Sequence, residues 1–233
     1  MISRLLVFLS SALLGASAVA ADAPSFRIKL RAVLHDPMSP AAEFHVQGAG
    51  SSVQRLSLSL EGIGEAQEVT VADGTLRLYS SSKVDPAKPL ENLAASVKVA
   101  PTVKQAMAFI VPSGGQPGLP YRMLLIDDSA TVFPMGESRV INLSQQELAV
   151  RAGEHRKVIK PASIEAISRV TKLNDMNQAP TQFYQKSGAE WTLLSERPTQ
   201  FTDSLRNIFL LYTMPNVPEA QVRTLIDTAN AQP

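Results

Sequence analysis

The sequence predicts an all-β protein: an antiparallel β-sandwich, immunoglobulin-like or jelly-roll-like, with one short C-terminal helix. Two observations carry this. Apolar and polar residues alternate in many short segments, and Gly, Pro, Asn and Asp turns separate those segments. A third bounds it: the chain has no cysteine, so no disulfide framework replaces a packed core.

The first alternating segment puts Phe26, Ile28, Leu30, Ala32 and Leu34 on one face and Arg27, Lys29, Arg31 and His35 on much of the other. This is the pattern of a strand with one buried and one solvated side. Leu56, Leu58 and Leu60 against Arg55, Ser57 and Ser59 repeat it. Val69 and Val71, then Leu76 and Leu78, flank an Ala72-Asp73-Gly74 turn and predict a hairpin. Further strands are predicted over 93–99, 106–112, 120–126, 138–143, 147–151, 155–160, 181–187, 190–195 and 206–213. Ala106 to Val111 and Met123 to Ile126 are continuously apolar, as in central strands covered on both faces.

The helix is predicted near the C-terminus. Pro218 suits a first helical position, Glu219 suits the positive helix start, and Val222, Leu225 and Ile226 recur at helical spacing. Residues 161–173, with Ile164, Ile167 and Val170, read equally as helix, strand or irregular structure. Ser80 to Leu90 and Pro112 to Pro120 are breaks in the pattern. They leave one unit over 21–233 or two packed halves over 24–100 and 105–215. No sequence repeat of fixed period is seen.

The N-terminus reads as a secretory leader. Arg4 is a positive start, Leu5 to Leu14 an apolar core and Ala18-Val19-Ala20 a small-x-small cleavage motif, so residues 1–20 are expected to be removed. No later segment approaches the ~20 apolar residues of a membrane-spanning helix. The expected destination is the periplasm or the exterior. The leader carries one base and no acid, so 22 basic and 21 acidic residues become 21 and 21. A neutral mature chain lacks the basic excess of a nucleic-acid binder.

Pro120-Tyr121-Arg122-Met123-Leu124-Leu125-Ile126-Asp127-Asp128, then Phe133-Pro134, then Arg139-Val140-Ile141-Asn142-Leu143-Ser144 resemble a pattern found in exported, β-rich bacterial proteins of unknown function. The resemblance covers about 105–215 and lies in structural motifs. It implies a sandwich and no reaction.

No complete catalytic or metal-binding constellation appears. If 26–35 and 41–48 form a hairpin around Asp36 to Pro40, His35 and His45 lie about 13 Å apart along it, too far to share a metal. Both then read as solvated. Met135, Met38 and His155 are a candidate soft copper set without diagnostic spacing, and a blue-copper site is excluded by the missing cysteine. No metal or other cofactor is expected. Ser80 to Lys83 has a Ser-x-x-Lys spacing, but without the helix and companion motifs that chemistry needs. Gly48 to Ser52 lacks the ending and the helix of a phosphate loop. Asn142-Leu143-Ser144 matches a glycosylation sequon.

Asp127, Asp128 and Glu137 are the candidate catalytic carboxylates. Adjacent strand residues point to opposite faces, so a turn-forming role for Asp128 competes with catalysis. The candidate binding residues are Arg151, His155, Arg156, Lys157 and Lys160, around an Ala152-Gly153-Glu154 turn. Such a basic hairpin suits an acidic envelope protein or an anionic cell-surface polymer. The leading expectation is therefore a non-catalytic envelope module. A carboxylate-dependent hydrolase and a structural subunit of an envelope assembly are the alternatives.

Overall fold

The computed structural model describes residues 25–35, 43–48, 52–59, 62–85, 88, 90–113, 118–214 and 216–228. The expected leader and Met38 lie outside them.

The first eight strands are β1 (Phe26–Leu34), β2 (His45–Gln47), β3 (Val53–Arg55), β4 (Gln67–Val71), β5 (Thr75–Tyr79), β6 (Leu93–Lys98), β7 (Gln105–Pro112) and β8 (Tyr121–Asp127). They form two sheets, in the orders β4-β1-β7-β8 and β3-β2-β5-β6. The next eight are β9 (Ser138–Asn142), β10 (Leu148–Ala152), β11 (His155–Ile159), β12 (Ile164–Ile167), β13 (Gln178–Ser187), β14 (Glu190–Gln200), β15 (Leu205–Met214) and β16 (Val217–Thr228). They also form two sheets, β12-β9-β15-β16 and β11-β10-β13-β14.

The second plan is the first with eight added to every strand number. The pairings agree in direction too: β1 with β7 and β9 with β15 are parallel, and every other strand pairing is antiparallel. Even an irregularity recurs, between Leu78 and Tyr79 of β5 and between Phe183 and Tyr184 of β13. The fold is thus duplicated where the sequence shows no period, because topology requires only that apolar positions fall at matching places.

Among the described residues, three apolar clusters hold these sheets. Ile28, Leu30, Leu34, Phe44, Val46, Leu76, Leu78, Ala106, Ala108 and Ile110 belong to the core between the first two sheets. Val140, Leu148, Val150, Ile159, Phe183, Phe209 and Leu211 belong to the core between the last two. Each fully buried side chain of this size contributes about 1.5–3 kcal/mol of transfer energy.

The third cluster joins the halves. Val33, Met107, Phe109 and Ile126 of the first meet Ile141, Ile208, Leu210 and Leu225 of the second, with Phe133 from the connection. These two sets occupy the same places in the two plans. Val33 opposes Phe109 and Ile141 opposes Leu210 in the parallel pairings; Met107 opposes Ile126 and Ile208 opposes Leu225 in the antiparallel ones. The halves therefore pack through equivalent faces, as subunits do across an isologous interface.

Several sequence expectations are corrected. The C-terminal segment is strand β16: its period-two pattern sends Ala220 and Val222 to the second core and Leu225 and Asp227 to the junction. Pairing along β15 outweighs a helical spacing that spans only one turn. β1 and β2 form no hairpin, since they lie in different sheets. His35 is buried against the Tyr212 ring, with centroids 4.2 Å apart, and His45 is half-buried, so neither is a solvated surface histidine. The Asp73-Gly74 turn is present, both residues at positive φ, but β4 and β5 diverge into different sheets after one bridge, Ala72 to Thr75. Leu56 and Leu58 pack on the first core outside any ladder, next to an isolated bridge from Ser59 to Val33. β7 is central as expected, whereas Met123 to Ile126 lie on β8, at a sheet end, yet the clusters bury Met123 and Ile126 and half-bury Leu124 and Leu125.

Candidate binding face

The outward face of the β11-β10-β13-β14 sheet collects the predicted basic residues selectively. Register fixes the arrangement. Val150 and Phe183 point into the core, so Arg151 and Gln182, one residue away and opposite each other, point out. Arg156 is directly opposite Arg151, and Glu196 opposite Gln182, so one row reads Arg156, Arg151, Gln182, Glu196 across four strands. The neighbouring row reads Val158, Ala149, Tyr184, Leu193. Val158 and Leu193 are among the exposed large apolar residues, at 47% and 48% of full accessibility.

The face is knitted by side-chain bonds. The Tyr184 hydroxyl donates to Gln182 Oε1 at 2.8 Å and Gln182 Nε2 donates to Glu196 Oε2 at 3.0 Å. Lys186 Nζ pairs with Glu147 Oε1 at 2.6 Å and lies 5.9 Å from the centroid of the Trp191 ring. Both carboxylates on this face are thus engaged by neighbours. Arg151 and Arg156 are exposed, and among the described residues no carboxylate lies within ion-pair distance of either.

The remaining basic candidates divide. Continuing the ladder places Lys160 opposite Glu147, on the same face as Arg156. Lys157 opposes inward-pointing Val150 and therefore leaves the edge of β11 on the other side. His155 is held at the turn, its Nε2 3.0 Å from the Arg169 carbonyl and 3.5 Å from Glu154 Oε1. Glu154 is itself an anchor: the Thr171 amide at 2.7 Å, the Thr171 hydroxyl at 2.8 Å and the Lys172 amide at 3.3 Å all donate to it. The Thr171 backbone bond, followed by the others, draws its pKa down to about 2.

The duplicated fold supplies an internal control. Val46 and Val150 are equivalent, since each opposes the inward residue just before the irregularity. Gln47 then stands where Arg151 does, and Val53 where Arg156 does. Tyr79 matches Tyr184 and Leu93 matches Leu193. The fold thus places a tyrosine and a leucine at these positions in both halves but two facing arginines in only one. Like charges directly opposite on a sheet cost stability, so folding does not explain the pair.

The three carboxylates singled out by sequence are each otherwise occupied. Asp127 Oδ1 accepts the Ser129 amide at 3.0 Å, taking the turn role expected of its neighbour. Glu137 pairs with Arg139 at 3.2 Å. Asp128 is buried at the junction, where its Oδ2 accepts Arg31 Nε at 2.8 Å and its Oδ1 accepts Arg206 Nη2 at 2.9 Å. Asp227 completes that network, accepting Arg31 Nη1 and Nη2 at 2.8 Å each and Arg206 Nε at 2.9 Å, with a further contact to Arg206 Nη2. Arg206 Nη1 also donates to the Phe133 carbonyl at 2.7 Å. Burial works against the Arg31 charge, but bonds to Asp227 and Asp128 more than offset it and its pKa is raised. Burial would lift the Asp227 pKa, and bonds from Arg31 and Arg206 overcome this and lower it. Arg31 is thus not on a solvated cationic face, as β1 alternation alone implied.

Among the described residues, two of the shallow cavities are each lined by one carboxylate. The first, about 270 Å³, holds Asp203, paired with Arg169 at 2.7 Å; the second, about 440 Å³, holds Glu196. Among the described residues no cluster of three or more His, Cys, Asp or Glu could hold a metal. Asn142 of the sequon is fully buried and donates to the Gln146 and Ile159 carbonyls, so it presents no accessible amide for a glycan.

Sequence reasoning missed Gln182, Tyr184 and Trp191. The signal was the outward alternation Gln182, Tyr184, Lys186 within the predicted strand 181–187, legible only once β13 was known to lie beside the basic hairpin.

No protein-family model matches the chain, and no curated protein does. Among solved structures, one described as a proposed cell adhesion protein from Bacteroides uniformis is similar over 87% of this chain and 99% of its own, at 10% identity and a TM-score of 0.19. A likeness that slight carries no argument about fold or function. Among the described residues no helix is long and apolar enough to cross a membrane.

Proposed function

We propose that the protein is an exported, non-catalytic module of the cell envelope that binds an anionic partner through the outward face of β10, β11 and β13. Export rests on the N-terminal leader pattern of the sequence. The observation that carries the binding reading is the Arg151–Arg156 pair: exposed, mutually repulsive, free of carboxylate partners among the described residues and absent from the equivalent place in the first half.

A second reading has its own support. β11 ends its sheet, and charged side chains on a terminal strand deter edge-to-edge aggregation. That accounts for Arg156 and Lys157. It does not account for Arg151, which lies on the interior strand β10.

Crosslinking of the tagged protein in its native envelope, read by mass spectrometry, separates the two. The binding reading expects a reproducible partner that Arg151→Glu/Arg156→Glu loses and Lys157→Glu keeps. If all forms capture the same set, while Arg156→Val/Lys157→Val self-associates in solution, edge protection is the role of these charges.

A further inference from the structure

Building on that reading, we infer that the anionic partner is a linear acidic polysaccharide lying along the strand direction over this outward face. The cations are not gathered into a spot. Arg151 and Arg156 face each other on adjacent strands, and Lys160 stands four residues beyond Arg156 on the same side. Charge therefore runs along β11 over about 13 Å at the usual strand rise, which suits a polymer with anions at intervals better than a single small ion. Arginine presents a planar fork that bonds carboxylate or sulfate in two-point fashion.

The other outward groups of this face suit sugar, Tyr184 in the row next to the arginines and Trp191 two rows away, in the row of Lys160. Tyr184 and Trp191 rise from neighbouring strands of the same face, both half-buried, and can offer ring surface to the C–H side of a pyranose. Gln182, already oriented by Tyr184 and Glu196, has an amide next to Arg151 for a ring hydroxyl.

A protein partner fits less well. Protein interfaces centre on a packed apolar anchor with a polar rim. Here the two exposed apolar side chains, Val158 and Leu193, sit at opposite ends of their row, three strand spacings or about 14 Å apart. Between them lie buried Ala149 and half-buried Tyr184. The adjoining row is Arg156, Arg151, Gln182 and Glu196, so the exposed aliphatic surface is split in two and is not gathered into one packed anchor.

The test is equilibrium binding of the mature full chain to polygalacturonate and chondroitin sulfate, with neutral dextran and poly-L-glutamate alongside. Two variants are compared: Arg151→Gln/Arg156→Val, which installs the residues of the first half, and Tyr184→Ala, each checked for native circular dichroism. The inference expects an acidic polysaccharide to bind and dextran not to. It expects at least about tenfold weakening in the arginine variant, from lost charge-assisted bonds, and about threefold or more in Tyr184→Ala, from lost ring contact. If Tyr184→Ala does not fold, Trp191→Ala takes its place. Polyglutamate bound as well as the polysaccharides, and lost with the arginines, would leave the anionic-partner reading standing and sink the polysaccharide inference. Binding to none of the polymers, or binding indifferent to both variants, also overturns the inference; crosslinking then judges the broader reading separately.

Discussion

Residues 26–127 and 138–228 share a strand plan pairing for pairing and differ in what they display. The first half places Gln47 and Val53 where the second places Arg151 and Arg156, and it places His45 and Arg55 where the second places Ala149 and Val158. Underneath, the positions that meet across the junction are apolar in both: Val33 and Ile141, Met107 and Ile208, Phe109 and Leu210, Ile126 and Leu225. Agreement at equivalent positions marks what the fold needs, and disagreement marks what it leaves free for other use. The arginine pair belongs to the second kind.

One agreement is electrostatic. Asp128 directly follows β8 and Asp227 is the penultimate residue of β16, each two residues beyond its junction apolar residue, yet the two are not equally engaged. Asp227 accepts from both nitrogens of the Arg31 fork and from two nitrogens of Arg206, while Asp128 shares the rest. Removing one partner of a buried charge network leaves the others unpaired, at about 3–5 kcal/mol. Asp227→Asn is therefore expected to lose about that much in denaturant unfolding, and Asp128→Asn less. We further propose that each half folds as its own domain, bolted by this network. On that proposal Asp227→Asn also splits thermal unfolding into two transitions. An equal or larger loss in Asp128→Asn would break the asymmetry, and a single unchanged transition would count against separate domains.

Acid should act on the same network. The Asp227 pKa is lowered in the folded protein, so its contribution is fully present above the ordinary carboxylate range and is lost as pH falls through the lower folded value. Glu154 behaves alike at the hairpin turn, losing its contribution between its ordinary 4.5 and about 2. Acid unfolding followed by fluorescence should show wild type weakening below about pH 4, with Asp227→Asn flatter there. A parallel offset between the two profiles at all pH values would mean that Asp227 titration is not involved.

Turns sharpen the comparison further. Gly74 and Gly153 both hold φ near +60°, but a Cβ on Gly74 meets nothing closer than the Val99 carbonyl at 3.7 Å, while one on Gly153 would lie 2.5 Å from Val170 Cγ1. Gly74→Ala should cost about 1 kcal/mol, the left-handed penalty alone. Gly153→Ala should cost about 3 kcal/mol, with overpacking added. Equal melting shifts would show that the 168–174 segment yields freely around the hairpin.

Much of this was legible in local pattern. The predicted strands over 93–99, 106–112, 138–143, 155–160 and 206–213 fall within a residue of β6, β7, β9, β11 and β15 at each end. Alternation reports one buried face, and it located Ile28, Leu30, Ala32 and Leu34 correctly. It could not report that the opposite face of β1 is also covered, because the junction that buries Arg31, Val33 and His35 is assembled from residues up to 196 positions away. The same blindness made β16 look helical, and hid Tyr184 from Arg151 although the two stand on adjacent strands. The duplication was invisible because it constrains polarity at core positions and leaves identities free.

The smallest predicted effect tests the central contrast most directly. Arg151→Gln/Arg156→Val should leave folding stability within about 0.5 kcal/mol of wild type, as surface changes usually do. The sign should favour the variant, since a cross-strand repulsion is relieved. Gln47 and Val53 already occupy the equivalent register in the first half, so the fold has shown that it accepts them there. Arg31 gives the counterexample: its side chain is buried, four hydrogen bonds tie it to Asp128 and Asp227, and Arg31→Gln should cost several times more. If the surface pair proved as costly as Arg31, it would belong to the architecture, and its absence from the first half would no longer single out a binding face. If it is free or better, the two arginines are retained against a small folding cost, and what offsets that cost must lie outside the chain.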